Sequence, residues 1–495
     1  MSNYIHTPKT INYKDIVQCN FGLSSSQHKK IEVANQNCKL VKEFLARDLT
    51  RKDLGREVGS ENYIEQSKYY FLRTKALQDH SYIPEITPET ALPIKPSSFV
   101  KMNLKKGDLI ISKDGNIGEI VILDRDYPNI ILSGALYKLS INKDKYYLLA
   151  LMKHAFFREQ LDFIVPKGAT IRHAKTLFLD CKIPMPNHNI DDTIRFVEVL
   201  TQAIINKETL IKERHQKILT LIENELSANQ GDSEFVYTLP TFNEVQTVGR
   251  LDTGLYSQKL KKEIFIIKNY KFGSSAIDEL GFSLNRGQNL QESNIGKSIY
   301  SDAYHKGFYN LILPTNFSDY GTINKVGYLG NKNKLKRLNK GEIIFGAEAT
   351  FRSIVICENT ENYVTNIHGI TLYQNDLTLS IFIKCFMDYL TNKGVIDCIK
   401  VGGNGGSLAQ KYWEIIPFPN FSETKQQEIA KFYHNPIDYP IEKFTLKNFL
   451  TLDDGYNKQA GIYELDKTAK QIQLLLDKAV ANIINDKKVE SIFKY

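Results

Sequence analysis

Glu423-Thr-Lys425 has the carboxylate-x-lysine spacing of many nucleases. No Pro-Asp pair precedes it, and Ser422 just ahead marks a helix start, where an acidic residue complements the helix dipole. Gly296-Lys297-Ser298 ends like a phosphate loop, whose backbone amides must wrap phosphates, but Gln291 stands where the first glycine belongs. It reads as a surface turn. Gly402-Gly-Asn-Gly-Gly-Ser407 is glycine-rich without following a clear Rossmann strand, so a dinucleotide site does not fit. An amino-methyltransferase needs an Asn/Asp-Pro-Pro-aromatic loop, and Asn435-Pro436 is followed by Ile437. The six cysteines form no C-x-x-C pair and the ten histidines do not gather near them, which leaves no metal site and no disulfide framework to expect. Each chemical motif fails at a defining residue, so the expectation is a chain without a catalytic site.

At 495 residues the chain suits two or more domains. Its 42% hydrophobic and 24% charged residues are ordinary for a globular protein. Lys and Arg outnumber Asp and Glu by 64 to 56. The resulting charge of +8 permits a nucleic-acid partner, but a slightly basic surface fits equally well. Met1-Ser-Asn-Tyr-Ile-His-Thr-Pro lacks the layout of a signal peptide, and no apolar run would span a bilayer. A cytoplasmic location without a membrane partner is the expectation.

The chain repeats itself. Leu104-Lys-Lys-Gly-Asp-Leu-Ile-Ile-Ser reads beside Leu338-Asn-Lys-Gly-Glu-Ile-Ile-Phe-Gly, an offset of 338 − 104 = 234. Gly134-Ala-Leu-Tyr matches Gly369-Ile-Thr-Leu-Tyr at 369 − 134 = 235, and Ile183-Pro-Met-Pro-Asn matches Ile416-Pro-Phe-Pro-Asn at 416 − 183 = 233. Three matches in order at near-constant offset indicate duplication of a large unit rather than a short-repeat solenoid.

Each copy has the same coarse plan. A Lys-Gly-acidic turn leads into a strand at Leu109–Ile111 or Ile343–Phe345. A second strand follows at Ile120–Leu123 or Ile354–Cys357, then a third at Leu136–Ile141 or Gly369–Tyr373. Asp114-Gly115 is a hairpin signal, since glycine tolerates positive φ. The second copy has Ala349 and Arg352 in place of Gly115 and Gly118, so its turn must differ. A helix is expected around Leu379, Phe382, Ile383, Phe386, Met387 and Leu390, with Gly394 as C-cap and Tyr147–Leu161 as its first-copy counterpart.

After each copy the period changes. Ile190 to Ser227 has no proline or glycine, and Val197, Ile204, Ile211 and Ile218 fall seven apart, with Lys207 and Arg214 breaking the second seam position. Near the end, Leu465, Ala469, Ile472, Leu476, Ala479 and Ile483 follow four-three spacing. The simplest arrangement pairs these two helices. A helix face packed on its own domain would give the same pattern, but the first helix is too long for one small domain to cover.

The ordered set Lys106-Gly-Asp-Leu-Ile-Ile-Ser-Lys-Asp-Gly-Asn-Ile-Gly118, Lys167-Gly-Ala-Thr-Ile, Ile183-Pro-Met-Pro and a long helix, followed by Arg250-Leu-Asp-Thr-Gly-Leu-Tyr, Gly405-Gly-Ser-Leu, Ile416-Pro-Phe-Pro and Gln426-Gln-Glu-Ile-Ala, resembles the specificity (S) subunits of type I restriction-modification systems. The chain departs from a plain repeat where the first long helix lacks a Gln-Gln-Glu-Ile-Ala analogue and where residues 436–461 separate the Gln426 helix from the last one. The resemblance implies an α+β fold. Two duplicated mixed α/β target-recognition domains, 1–188 and 231–421, are joined and separated by a central helix, 189–230, and a C-terminal helical region, 422–495, which form an antiparallel coiled coil. It implies double-stranded DNA as ligand, read as two short blocks with an unread gap. It also implies docking of modification (methyltransferase) subunits and, in some systems, of ATP-dependent restriction subunits. This chain would carry no cofactor; S-adenosylmethionine belongs to the methyltransferase. The 38 residues Ile190 to Ser227 would span about 57 Å as a helix, more than the roughly 34 Å of one DNA turn. A comparable chain serving another methyltransferase or phage-defence system, or a protein-binding scaffold, is the alternative.

Loops rather than framework strands should carry base contacts. The first-copy candidates are Lys113, Asn116, Lys167, Thr170, Arg172, His173 and Lys175. The second-copy candidates are Arg352, Asn404, Ser407, Gln410 and Lys411. Arg and Lys reach guanine O6/N7 or phosphate, while Asn and Gln pair with adenine N6/N7.

Overall fold

In this computed structural model, residues 4–490 are described apart from 19, 20, 22, 25–27, 166–172, 349, 350, 360, 361, 403–405 and 409. The chain divides into two compact units, neither continuous in sequence. One comprises Met1–Thr209, Asp438–Lys458 and Lys467–Tyr495; the other comprises Leu210–Ile437 and Gln459–Asp466.

In the first unit, Lys106-Gly107-Asp108 turns the chain with Gly107 at φ 87°, and the apolar run that follows has nowhere to go but inward. All four residues of the strand Leu109–Ser112 are buried. It pairs antiparallel with Ile120–Ile122 on one side and Leu136–Leu139 on the other. The continuous apolar run Leu109–Ile111, rather than an alternating one, is what burial on both faces demands. A second small sheet sets Tyr70–Leu72 antiparallel to Ala91–Pro93 and parallel to Ile130–Leu132. Cys38–Leu40 pairs with Lys182–Pro184. The single helix expected over Tyr147–Leu161 is two helices, Lys145–Lys153 and Ala155–Ile164. The break is at His154, whose backbone is extended and whose ring caps the second helix by accepting from the Phe156 amide.

The second unit repeats the pairing scheme. Ile343–Gly346 lies between Ser353–Val355 and Gly369–Tyr373, both antiparallel, with Ser283–Arg286 added at the edge. Tyr309–Leu311 is antiparallel to Gly327–Asn331 and parallel to Tyr363–Val364, again with an added edge strand, Ser298–Ser301. Ser274–Ser275 pairs with Phe418–Pro419. The register corrects one sequence match. Ser112 faces Leu136 and Gly346 faces Gly369, so Leu136, not Gly134, answers to Gly369 (369 − 136 = 233). The ladder is set by the apolar residues that enter the core, Leu136 and Leu139 in one strand and Ile370 and Leu372 in the other, not by a shared glycine.

One helix, Ile190–Ala228, runs 39 residues. Asp191 and Asp192 occupy its first turn, where negative charge is favoured. Within the first unit, Val197, Leu200 and Ile204 share a core with Ile472, Leu476, Ala479 and Ile483 of the helix Ile462–Ile484. Phe156, Phe178 and Ile183 belong to the same core. Ile211, Ile218 and Leu465 are buried in the second unit, and Ala469 is half-buried. Mixed α and β content with one long helix is therefore the architecture. Among the described residues no helix is long and apolar enough to cross a membrane.

Candidate nucleic-acid interface

The connection between Leu109–Ser112 and Ile120–Ile122 is a turn that needs glycine twice, with Gly115 at φ 71° and Gly118 at φ 82°. The Ser112 hydroxyl donates to the Asp114 carbonyl at 2.7 Å and pins its start. Its far end is held from below. Glu119 is buried and accepts from Arg158 at 2.5 Å, with the Lys153 ammonium 4.0 Å away. Burial pushes Lys153 down to about 8, with Glu119 opposing that shift.

In the second copy this support is inverted. Ser353 takes the place of Glu119 (353 − 119 = 234), and its hydroxyl donates to Asp388 at 2.8 Å. Asp388 is neutralised by Lys384 at 2.6 Å, with His215 at 3.4 Å. Burial alone would raise the Asp388 carboxyl; Lys384 and His215 outweigh it and hold the group below its ordinary value. Lys384 also lies 4.3 Å from the centre of the Tyr433 ring.

A segment arriving after Ala155–Ile164 crosses the end of the central strand. The Ala174 amide donates to the Lys113 carbonyl at 2.8 Å, and His173 bridges Asp114. Asp114 is the hub of this cluster, receiving the Lys113 ammonium on one oxygen and His173 Nδ1 at 2.7 Å on the other. The second unit repeats the crossing. Leu408 donates to the Ala347 carbonyl at 2.8 Å, and Ser407 bridges Glu348. Glu348 accepts from His368 Nδ1 at 2.7 Å.

Of the sequence candidates, Lys113 and His173 are thus brought together on Asp114. Asn116 is exposed on the turn, and Lys175 is exposed in the left-handed region at φ 47°. Ser407 is half-buried at the second crossing. Arg352 has two of its donors engaged, Nε by Asp319 at 2.5 Å and Nη1 by the Phe317 carbonyl at 3.0 Å. The expected difference in the second turn is concrete: Phe351 carries the positive φ, at 46°. Lys167, Thr170, Arg172 and Asn404 lie outside the described residues. Gln410 and Lys411 begin the short helix Gln410–Ile415, and their side chains are likewise outside the description.

Sequence reasoning missed Asp114, Glu348 and His368. The two carboxylates were findable as acidic residues at matching places, 348 − 114 = 234. His368 carried no such signal, because its counterpart in the register is Ala135. Among the described residues no group of three or more His, Cys, Asp or Glu could hold a metal ion. What the arrangement offers is hydrogen-bonding groups on two similarly built loop crossings.

Three solved structures are similar to this chain. The S subunit of a type I restriction-modification system from M. genitalium is 12% identical, covering 92% of this chain and 97% of that one, with a TM-score of 0.41. A chain from work on complex assembly and conformational transition of the type I R-M system is 11% identical, covering 92% and 100%, with a TM-score of 0.28. The HsdS subunit from Thermoanaerobacter tengcongensis is 12% identical, covering 91% and 97%, with a TM-score of 0.26. No family model and no curated protein matches the chain in sequence.

Proposed function

We propose that this chain is a sequence-specific DNA-recognition subunit that works as the specificity subunit of a type I restriction-modification complex and performs no chemistry itself. The observation that carries this reading is the recurrence of one strand-pairing scheme and one loop crossing in both units, with different side chains presented at each. Ala174 on Lys113 and Leu408 on Ala347 are the same backbone contact, yet Lys113 and His173 in one copy stand against Ala347 and Ser407 in the other. A shared scaffold with divergent contact groups is what reading two different DNA blocks requires, because backbone geometry positions and side chains specify.

In this reading 1–188 and 231–421 are the recognition domains. The helical regions 189–230 and 422–495 pair as an antiparallel coiled coil, leaving an unread gap between the blocks. Modification subunits, which bind S-adenosylmethionine, and ATP-dependent restriction subunits dock on the chain, and the assembly works in the cytoplasm.

The test is co-expression with the methyltransferase encoded beside this gene, with methylated positions mapped across the host genome by single-molecule sequencing. A single gapped, asymmetric motif that vanishes on deletion of this gene supports the specificity role. Exchange of residues 231–421 for those of a related chain then changes one half of the motif. Methylation that is absent, or unchanged by deletion, refutes the role.

A further inference from the structure

The two carboxylate–histidine pairs are built from different parts of the repeat. In the first copy the ring comes from the crossing segment, at His173; in the second that place is Ser407 (407 − 173 = 234). There the ring comes instead from the turn just before the neighbouring strand, at His368, whose carbonyl accepts from Ala347 at 3.0 Å. The matching first-copy contact, Lys113 to the carbonyl of residue 135 at 2.9 Å, involves an alanine. One unit therefore has histidine on the crossing and alanine on the turn before the strand; the other has serine on the crossing and histidine on that turn. Both rings bind a carboxylate at the same framework position through Nδ1, at 2.7 Å.

Stability does not account for this. Both rings are about half exposed, at 56% and 51%, and exposed pairs of this kind contribute about 0–1 kcal/mol. An ionised carboxylate only accepts. In the neutral form of each ring the proton is therefore held on Nδ1, and Nε2 is left as an acceptor.

We propose that His173 and His368 are DNA base-contacting residues, one per recognition domain, each oriented by its carboxylate so that Nε2 meets an exocyclic amino group of adenine or cytosine in the major groove. Asp114 and Glu348 are positioning residues. The two units build one ring-on-carboxylate device from different positions of the repeat, and the Nε2 acceptor matches the N6 and N4 donors that distinguish those bases. This inference rests on the DNA-recognition reading above.

The test uses the full chain co-expressed with its neighbouring methyltransferase, reading the methylated motif and its stringency at each position. His173→Ala should relax discrimination on the order of tenfold at a position in one half, and His368→Ala should do so in the other half. The double variant His368→Ala with Ser407→His moves the ring to the first copy's position on the same carboxylate and should restore stringency. Thermal melting curves matching wild type show that the variants fold. Unchanged motifs in both single variants, or equal loss in both halves from either one, overturn the proposal while leaving the DNA reading intact. A wild-type chain that directs no motif overturns both.

Discussion

Lys207 Nζ lies 2.7 Å from Asp453 Oδ1 and 2.6 Å from Asn457 Oδ1, with both charged side chains closed to solvent. Asn457 donates to the other Asp453 oxygen at 2.8 Å, and the Tyr439 hydroxyl donates to Asp453 at 2.7 Å. The rings of Tyr439 and Tyr456 each stand 4.9 Å from the ammonium. Burial lowers the Lys207 pKa, with Asp453 pulling the other way. Lys207→Met strands a buried carboxylate and should cost about 3–5 kcal/mol. Lys207→Met combined with Asp453→Leu should recover most of that loss, because neither charge is then left alone. Urea denaturation of the two singles and the double provides the cycle. Additive losses would show that the pair is not coupled.

Gly118 and Gly115 should separate two costs. Both have positive φ, but a Cβ at Gly118 would come within 2.7 Å of Leu161 Cδ2, while at Gly115 the nearest atom is 3.8 Å away. Gly115→Ala should therefore cost only the left-handed backbone penalty of about 1–2 kcal/mol. Gly118→Ala should cost about 1–3 kcal/mol more from overpacking. Melting temperatures of the two variants, compared side by side, check the order.

Arg352 tests holding against reading. Its contacts with Asp319 and the Phe317 carbonyl tie the second turn to the loop at 317–319. Arg352→Ala and Asp319→Ala should therefore give the same small loss of stability, within about 1 kcal/mol for a pair this exposed. They should also leave the same motif. A motif changed by Arg352→Ala alone would mark Arg352 as a base contact.

Asp53 should report on acid stability. Hydrogen bonds from Arg47 at 2.6 and 2.7 Å hold its carboxyl at about 2, helped by the Thr50 amide and hydroxyl. A folded-state pKa below the unfolded value of about 3.9 contributes stability that is complete above that value. The contribution is lost as pH falls through about 2. The stability difference between wild type and Asp53→Asn should thus be constant above about pH 5 and shrink between pH 4 and 2. Urea midpoints across that range decide it; a constant difference would mean the carboxylate charge contributes nothing.

The elements that were legible in the sequence are those whose residues declare themselves locally. Leu109–Ser112 and Ile343–Gly346 are short apolar runs after a Lys-Gly-acidic turn, and both are central strands. The helix Leu377–Asn392 carries apolar residues at helical spacing and stops before Gly394 at φ 70°. The sheet around Tyr70–Leu72 was not legible, because its three-residue strands show no period and follow no Lys-Gly-acidic turn. Lys207 looked like a fault in an apolar seam; its meaning lies in Asp453, 453 − 207 = 246 residues downstream. The candidate site divides the same way. Lys113 and His173 are seen in one cluster, whereas His368 becomes visible only once the ladder register replaces the sequence alignment.

Asn35 donates to the carbonyls of Met185 at 2.8 Å and Ile483 at 2.7 Å, so one of the earliest residues is closed over by one of the last. During translation, at roughly 5–20 residues per second, the Met1–Thr209 part of the first unit leaves the ribosome long before the helix that completes its core. Val197, Leu200 and Ile204 wait without Ile472, Leu476 and Ile483 while the whole of Leu210–Ile437 is synthesised. A ribosome that stalls in this interval holds a chain with an open apolar seam, the kind of surface that holdase chaperones shield and quality-control proteases recognise.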